Sequence, residues 1–411
     1  MAHAFKGIGN RVSALRDVFS VRAFRLFSIA NFASLTAIWI VRTTAAWLTW
    51  EMTHSKTWLG VIAFAELGPS VLISGFAGVL ADRHDRLGIL RFGQSIQMTL
   101  ALLLAGLVIF KSLTVWWLVA ILVIYSLVAG LTLPARLAAG PSLAGRERLA
   151  TASAIVSITL NVTRFVGPLI AAPLLAINFE VAAFALAAAG FALNTWCLGQ
   201  ITPEESAAAS PGKAAGDSGA DYLTVLRELL MMPGVAAVLS LQLMTSMLVR
   251  PLIDMFPAYA DRVFRLGEAG YGGLSAAVGF GAVFGAVYMV GQTAGMAMRT
   301  QIVAGSAVFA GSMLAFAYCE PFVLALGLLL VFGMAMTISG VASTSFVQSH
   351  TPMDRLGRVM SLYSVIARLA PAIGALGLGF LADTAGLTPV VTLFALLALA
   401  CIVVAHRRLP R

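Results

Sequence analysis

Long apolar runs, each separated from the next by a short polar break, constrain the fold of this chain more than any other feature. A membrane core about 30 Å thick is crossed by about 20 apolar residues of helix, and the runs here reach or exceed that length. Apolar residues make up 60% of the 411 residues and charged residues only 11%, whereas soluble domains carry about 25% charged residues. The chain is therefore predicted to be an all-α membrane protein.

The polar breaks divide the chain into twelve predicted transmembrane helices. These runs are much longer than the roughly 10-residue alternating segments of membrane β-barrels, which excludes that class. The predicted spans cover residues 24–50, 57–80, 88–110, 113–134, 150–176, 179–200, 233–259, 269–292, 300–318, 321–344, 358–382 and 386–405.

One polar stretch near the middle of the chain is longer than a loop between spans requires. Residues 201–222 are rich in Ala, Ser, Gly and Pro, a composition typical of flexible linkers. Six spans lie on each side. The sequence therefore predicts an N-terminal six-helix bundle over 1–200, a linker over 201–232 and a C-terminal six-helix bundle over 233–411.

The positions of buried arginines also indicate two related halves. Arg42 and Arg250 lie 208 residues apart in the first and seventh spans, and Arg164 and Arg368 lie 204 apart in the fifth and eleventh. Weak internal symmetry of this kind is typical of transporters built from parallel repeats. The fold is expected to be two pseudo-symmetric bundles.

The basic residues favour one orientation in the membrane. With the N-terminus in the cytoplasm, nineteen of the 27 Lys and Arg residues fall on the cytoplasmic side, four on the opposite side and four inside spans. The positive-inside rule then predicts that both termini are cytoplasmic. The net charge of +9 is expected to favour contact with anionic lipid and not with nucleic acid, because the basic residues are scattered among short loops.

Charged side chains inside the spans are the main candidates for function, because each is expensive in a membrane. We expect Arg42 to pair with Glu66 in the neighbouring span, either as a structural ion pair or as a proton or substrate site. Arg250 and Asp254 stand four residues apart, and the spacing predicts that they neutralise each other on one helix face. The full set of candidates is Arg42, Glu66, Arg164, Arg250, Asp254 and Arg368.

Proline and glycine, which affect the backbone, distinguish two further spans. Pro251 and Pro257 predict a kinked end of the seventh span, because each proline removes a backbone donor. Close packing between helices is also predicted in the eighth span, from Gly272, Gly273, Gly279, Gly281, Gly285 and Gly291. Neither feature specifies a ligand.

A short charged segment after the second span, GVLADRHDR at residues 78–86, resembles the loop 2–3 signature of the major facilitator superfamily, with Asp85 where a glycine is usual. The resemblance implies a secondary transporter that works by alternating access. It also implies that Gly78, Asp82, Arg83 and Arg86 form a conformational latch at the cytoplasmic face, with Arg136 and Arg146 to Arg148 as possible additions. The alternative is that these charges only anchor loops to lipid headgroups.

The fifth span carries a second resemblance. The stretch beginning at Gly167 and Pro168 is similar to the antiporter signature of exporters in the superfamily, with alanines in place of the last two glycines. With the loops before the fifth and eleventh spans, it resembles the bacterial drug:proton antiporter branch that includes enterobactin exporters and macrolide efflux proteins. The resemblance implies proton-coupled export of a drug or siderophore across the bacterial inner membrane. Glu66 is the first candidate for the proton-carrying acid and Asp254 the second.

Other functions remain open on this fold. A lysophospholipid flippase, a facilitator or uniporter, and a membrane sensor that does not transport are the alternatives. We expect a monomer that is not an enzyme and needs no cofactor. We also expect no metal site, because no cluster of His, Cys and Asp has metal spacing and the three cysteines lie far apart. The cargo is undecided between amphiphilic drugs and an anionic siderophore, which the four buried arginines favour slightly.

Overall fold

The computed structural model describes residues 16–177, 179–202, 232–290 and 298–408. Within these ranges, twelve helical segments are long and apolar enough to cross a membrane. The first six are α1 (Arg22–Thr53), α2 (Lys56–Arg83), α3 (Arg86–Ile109), α4 (Val115–Ala144), α5 (Leu149–Ala176) and α6 (Glu180–Gly199).

The second group of six begins after residues 203–231, which lie outside the described ranges. The seventh segment, α7, is an α-helix only over Pro233–Leu248 and continues irregularly to Val263. The others are α8 (Gly267–Val290), α9 (Met298–Ala317), α10 (Phe322–His350), α11 (Met353–Ala385) and α12 (Leu387–Arg408). Most of the predicted linker 201–232 lies outside the described residues, so the linker remains a prediction.

The predicted spans agree with the helices except at a few ends, and the largest difference is in α4. That helix was expected to stop near residue 134, but it continues through Pro134 and Pro141 to Ala144. The prediction that Arg136 is a loop residue at the membrane surface is therefore wrong. Small and apolar neighbours let the helix go on, and membrane helices tolerate proline where other helices pack around it.

Successive helices run in opposite directions, so the bundle has two faces. We call the face where α1 begins and α12 ends the terminal face. The distal face is the one where α1 ends and α12 begins. Many of the large side chains that point outwards from the helices are apolar, such as Leu72, Phe110 and Val323, each more than 80% exposed. These residues form the surface that contacts lipid.

The helices pack as two bundles that meet along two pairs. In the first bundle α1 packs on α5 and α6, and in the second α10 packs on α8 and α9; the bundles meet where α2 lies against α11 and α5 against α8. The hydrophobic core of the second bundle includes four residues from the distal ends of α1, α2 and α5: Trp47, Trp50, Leu59 and Leu175. The two bundles are thus packed together at the distal face.

Glycine in α8 has the predicted packing role. A Cβ atom on Gly281 would overlap the backbone carbonyl of Leu330 in α10, and one on Gly285 would lie 2.6 Å from the carbonyl oxygen of Met334. These contacts hold α8 and α10 at backbone distance. The structure therefore confirms close packing by the glycines of the eighth span.

Candidate functional site

A small cavity of about 80 Å³ lies between the two bundles, near the middle of the helices. The first bundle contributes side chains from α1, α2 and α5, and the second from α7, α8, α10 and α11. The polar part of its lining is Arg42, Thr43, Glu66, Arg164, Arg250, Asp254, Tyr271 and Ser275. Five of the six predicted intramembrane candidates therefore meet in one place.

Arg42 forms the centre of this cavity. Its Nε lies 3.3 Å from Glu66 Oε2, and its Nη2 lies 2.8 Å from Asp254 Oδ1. All three side chains are mostly buried, with 11 to 16% of each exposed. The predicted pairing of Arg42 with Glu66 is confirmed, and the second carboxylate comes from the other bundle. One guanidinium thus joins the two halves of the molecule.

The predicted pairing of Arg250 with Asp254 is wrong. The backbone changes from α-helix to 3₁₀-helix over Arg250–Met255, and then passes through a π-turn over Tyr259–Val263. A 3₁₀-helix turns every three residues, so residues four apart no longer share a face. Arg250 instead donates to the carbonyl of Ala367 at 3.0 Å. The predicted kink at Pro251 and Pro257 is confirmed.

Arg164 and Arg42 share one aromatic neighbour, Trp39. Both guanidinium groups lie over the ring of Trp39, at 5.0 Å for Arg42 and 6.0 Å for Arg164. An aromatic face attracts cations and is worth up to about 2 kcal/mol when the pair is desolvated. Trp39 thereby offsets part of the repulsion between two cations in one cavity.

A second, larger cavity of about 350 Å³ shares Arg164 and Arg250 with the first. It extends from them towards the terminal face, because its other residues on α7, α10 and α11 lie on that side. The described residues of its lining are rich in hydroxyl and amide groups and include no carboxylate. The polar residues are Gln242, Thr245, Ser246, Thr337, Ser339, Thr344, Ser345 and Tyr363.

The sixth candidate, Arg368, is not among the residues that line either cavity. It donates from Nη1 to Ser70 Oγ at 3.2 Å. This hydrogen bond joins α11 to α2, so Arg368 links the two bundles beside the cavity. Arg164 is the equivalent residue of the first half, and both arginines stand near the middle of their helices, as the predicted internal symmetry requires.

Aromatic contacts close the distal side of the small cavity. Trp47 of α1 stacks on Tyr271 of α8 with ring centroids 6.1 Å apart. Trp50 donates from its indole nitrogen to Asp261 at 3.1 Å. Both contacts cross between the bundles, so the cavity is shut on the distal side.

Comparisons with known proteins agree with this architecture. The family model described as transmembrane secretion effector matches residues 14–411. The chain belongs to this family of the major facilitator superfamily. It is accordingly a multi-pass inner-membrane protein and a secondary transporter that exports a small molecule.

Curated relatives and solved structures point the same way. The enterobactin exporter EntS of Shigella boydii serotype 4 (strain Sb227) is 31% identical over 381 residues, which are 90% of this chain and 86% of the relative. EntS of Escherichia coli O139:H28 is 31% identical over 388 residues, with the same coverage. These relatives are transporters and not enzymes.

Structural similarity shows the superfamily fold. The nucleoside transporter NupG aligns with a TM-score of 0.74 at 12% identity, over 95% of this chain and 99% of that one. A bacterial homologue of the lysosomal transporter Spinster, solved in an inward-facing and occupied conformation, aligns with a TM-score of 0.69 at 13% identity, over 95% and 97% of the two chains. The predicted fold class is confirmed.

The loop 2–3 signature of the superfamily lies where α2 ends and α3 begins, at the terminal face. Gly78, Asp82 and Arg83 belong to the last turns of α2, and Arg86 is the first residue of α3. The side chains of Asp82 and Arg83 lie outside the described part of the structure, so their role as a latch remains a prediction. Asp85, which replaces the usual glycine, caps α3 by accepting from the backbone of Leu87 and Gly88.

One possible addition to the latch, Arg136, is not placed as predicted. Arg136 is 4% exposed and donates to Asn31 Oδ1 at 2.8 Å and Ser34 Oγ at 3.1 Å, inside the first bundle. Arg148 binds Asp17 through two nitrogens, at 2.6 and 2.9 Å. The latter pair is at the terminal face, and the hydrogen bonds from Arg148 hold the pKa of Asp17 below its usual range.

The antiporter-like stretch of the family packs beside the cavity. Gly167 lies against the backbone and Cβ of Trp39, and Pro168 lines the small cavity. A larger side chain at residue 167 would displace the tryptophan that carries Arg42 and Arg164. The stretch thus contributes to the site through packing.

Sequence reasoning does not identify two contributors to the site, Trp39 and Tyr271, because nothing in the sequence separates them from the other aromatic residues of the spans. It includes Asp254 as a candidate but pairs it with Arg250. Each omission concerns a contact between residues far apart in the chain, and Arg42 and Asp254 are 212 residues apart.

Proposed function

We propose that this transporter exports an anionic small molecule of the siderophore class, in exchange for protons, from the cytoplasm across the inner membrane. The observation that carries the proposal is the pairing of Arg42 with Glu66 of one bundle and Asp254 of the other. A cation held by two acids from two moving bodies can exchange partners when cargo or protons arrive. Glu66 is the proposed proton carrier, with Asp254 the second candidate.

The charge balance of the two cavities supports an anionic cargo. Three arginines and two acids line the small cavity. The larger cavity has Arg164 and Arg250 at its inner end, and the described part of its lining holds no carboxylate. Guanidinium groups bind planar anionic groups through two parallel hydrogen bonds. A carboxylate or catecholate that enters the larger cavity therefore meets two guanidinium groups that form no ion pair within the described residues.

The arrangement also supports coupling. When an anionic group of the cargo engages Arg42, the acids lose part of the contact that compensates their charge. An isolated charge at membrane depth is costly, so Glu66 then has to take up a proton or another cation. Protonation of Glu66 and binding of a cargo anion at Arg42 are thereby linked through one guanidinium group. The proposed exchange depends on this linkage.

The location of the cavities supports the direction of loading. The terminal face is proposed to be cytoplasmic because of the excess of basic residues on it. The larger cavity extends towards that face, while aromatic contacts shut the distal side. This conformation is suited to loading from the cytoplasm. The latch residues Gly78, Asp82, Arg83 and Arg86 are proposed to close the terminal face in the opposite conformation.

The relatives support the siderophore class, since they are enterobactin exporters. We extend this to a monomer with bundles 1–200 and 233–411 joined by a linker over 201–232, without enzymatic activity. A lysophospholipid flippase is the second candidate. The apolar groove between α7 and α12, lined by Met244, Ala400 and Val404 among others, is the feature that favours it.

Proton movement in energised everted membrane vesicles tests the proposal. A panel of catecholate and carboxylate siderophores, cationic drugs and lysophospholipids is added to vesicles that contain the protein, and the internal pH is followed. We expect proton release with the anionic siderophores and none with cationic drugs. Glu66→Gln should abolish the release.

Other outcomes identify the alternatives. Release triggered by cationic drugs alone would overturn the anionic cargo. Transbilayer movement of lysophospholipid without proton release would support the flippase. Full proton release in the Glu66→Gln variant would remove Glu66 as the carrier and turn attention to Asp254.

A further inference from the structure

A carboxylate of the second bundle caps a helix of the first at the distal face. Asp383 in the last turn of α11 accepts from the backbone N–H of Lys56 at 3.0 Å and of Thr57 at 2.8 Å. It also accepts from Ser55 Oγ at 2.6 Å and lies 3.4 Å from Lys56 Nζ. We call Asp383 with Ser55, Lys56 and Thr57 the distal cap.

The distal cap provides what the start of α2 needs. The first N–H groups of a helix have no partner within the helix, and the N-terminal end of the helix dipole favours an anion. Among the first N–H groups of α2, the side chain of the N-cap residue Ser55 accepts from that of Trp58, at 3.4 Å, and not from those of Lys56 and Thr57. The donors at Lys56 and Thr57 are met by a residue 326 or 327 positions away. The start of α2 is thus completed by the other bundle.

Two close backbone approaches make the cap possible. A Cβ atom on Gly379, one turn before Asp383, would overlap the carbonyl of Lys56. A Cβ atom on Gly60, one turn into α2, would overlap the carbonyl of Ala375. Helices α2 and α11 therefore touch at backbone distance next to the cap. A rocking of one bundle on the other that separates these helices at the distal face has to break the cap.

The sequence repeats the capping segment at the opposite end of the same helix pair. Residues 379–383 of α11 read Gly-Phe-Leu-Ala-Asp, and residues 78–82 of α2 read Gly-Val-Leu-Ala-Asp. Helix α11 ends at the distal face, where α2 begins, and α2 ends at the terminal face, where α11 begins. Each aspartate thus stands at the end of its own helix that faces the start of the other.

We propose that Asp383 is a positioning residue that holds the distal face closed by capping α2 from the other bundle. When the bundles rock and the terminal face shuts, the distal cap has to open. The latch already proposed for Asp82 then takes over at the other end of the same helix pair, so the two acids alternate. The role of Asp82 in this exchange rests on the proposed function, whereas the distal cap does not.

Accessibility of a cavity residue from the distal face measures the cap directly. Cys197, Cys319 and Cys401 are replaced by alanine, and Ser275→Cys places one thiol in the small cavity. A membrane-impermeant maleimide is then applied from each side, to spheroplasts and to everted vesicles. Asp383→Asn should raise the labelling rate from the distal side about tenfold, since it removes the charge from several hydrogen bonds. Asp82→Asn should shift labelling the opposite way.

Two further variants separate the cap from general damage. Glu320→Gln removes an exposed acid on the same face and should leave labelling unchanged. Lys56→Pro removes the Lys56 donors while keeping α2, because proline is favoured at the first helical position. The extended backbone of Ser55, with φ −112° and ψ 128°, is compatible with a following proline. This variant should shift labelling as Asp383→Asn does.

The results can overturn the proposal without touching the transport mechanism. Unchanged distal labelling in both Asp383→Asn and folded Lys56→Pro would show that the cap does not control the face. A shift in the same direction for Asp82→Asn and Asp383→Asn would refute the alternation. Proton release in these variants, measured with the same siderophore panel, reports the proposed function separately, because a failed cap leaves wild-type coupling intact.

Discussion

Arg42 in α1 and Arg250 in α7 occupy equivalent positions in the two bundles, yet their surroundings differ. Helix α1 is continuous over Arg22–Thr53, and its arginine is held by two carboxylates. Helix α7 breaks at Arg250, whose described hydrogen bond is to a backbone carbonyl. One arginine is neutralised, and the other keeps its charge facing both cavities.

This difference shows how a repeat can be divided into two roles. The duplicated position supplies a cation at the same depth in each bundle. The break in α7 moves Asp254 away from Arg250 and towards Arg42, because a 3₁₀ turn changes which residues share a face. Arg42 is then suited to coupling, since acids from both bundles depend on it. Arg250 is suited to binding cargo.

The largest effect is expected at Arg42. Arg42→Gln leaves two acids at membrane depth without their cation, and breaking a buried pair costs about 3–5 kcal/mol. We expect siderophore transport, normalised to folded protein, to fall at least about 100-fold. The triple variant Arg42→Gln, Glu66→Gln, Asp254→Asn should recover thermal stability but not proton release. If Arg42→Gln kept more than half of the wild-type transport rate, the division of roles between Arg42 and Arg250 would be contradicted.

Arg250 is expected to affect cargo affinity more than turnover. Arg250→Gln should raise the KM for an anionic cargo about tenfold, since a charge-assisted hydrogen bond is worth about 1.5–3 kcal/mol, with a smaller change in kcat. Initial rates over a range of cargo concentrations give both constants. Arg250→Lys keeps the charge and should fall between. A loss confined to kcat would instead place Arg250 in the coupling step.

A smaller effect is expected at Trp39, which lies under both Arg42 and Arg164. Trp39→Leu removes the aromatic face and should reduce transport about three- to tenfold, because a cation–π contact is worth about 0.5–2 kcal/mol. Trp39→Phe keeps a ring and should lose less. Equal losses in the two variants would show that packing on Gly167, and not the ring, matters.

The smallest effect is expected at an exposed counterpart of the buried pair, Asp17 with Arg148. Because Arg148 holds the pKa of Asp17 low, the pair stabilises the protein above the usual pKa of Asp and loses this contribution as the pH falls through the lowered value. Asp17→Asn should lower Tm by at most about 1 °C at pH 7. The difference from wild type should disappear once the pH is well below the lowered pKa of Asp17. A difference that persists there would contradict the assignment.

The sequence predicts the helices well and the contacts between distant helices poorly. Apolar runs fix the spans because membrane thickness sets their length, so most helix ends agree within a few residues. The pairing of Arg42 with Glu66 is predictable because α1 and α2 are neighbours. Helix α4 continues through Pro134 because surrounding helices support it, which local propensity does not reveal.

Asp254 could not be assigned from spacing. The i, i+4 rule applies to an α-helix, and the backbone at Arg250 is not one. The role of Asp383 is not predictable from the sequence either, although its segment repeats that of Asp82, because only the packing of α11 on α2 shows which helix it caps. In both cases the partner lies in the other bundle, so the contact depends on how the halves dock.

The central claim is that Glu66 carries the proton while Arg42 passes between acid and cargo. The most direct test compares two assays on purified Glu66→Gln protein in proteoliposomes, with a siderophore that wild type exports. We predict that exchange of labelled for unlabelled cargo persists, whereas uphill transport driven by a pH gradient is lost. Uphill transport at the wild-type rate would contradict the claim, as would loss of exchange in the folded variant.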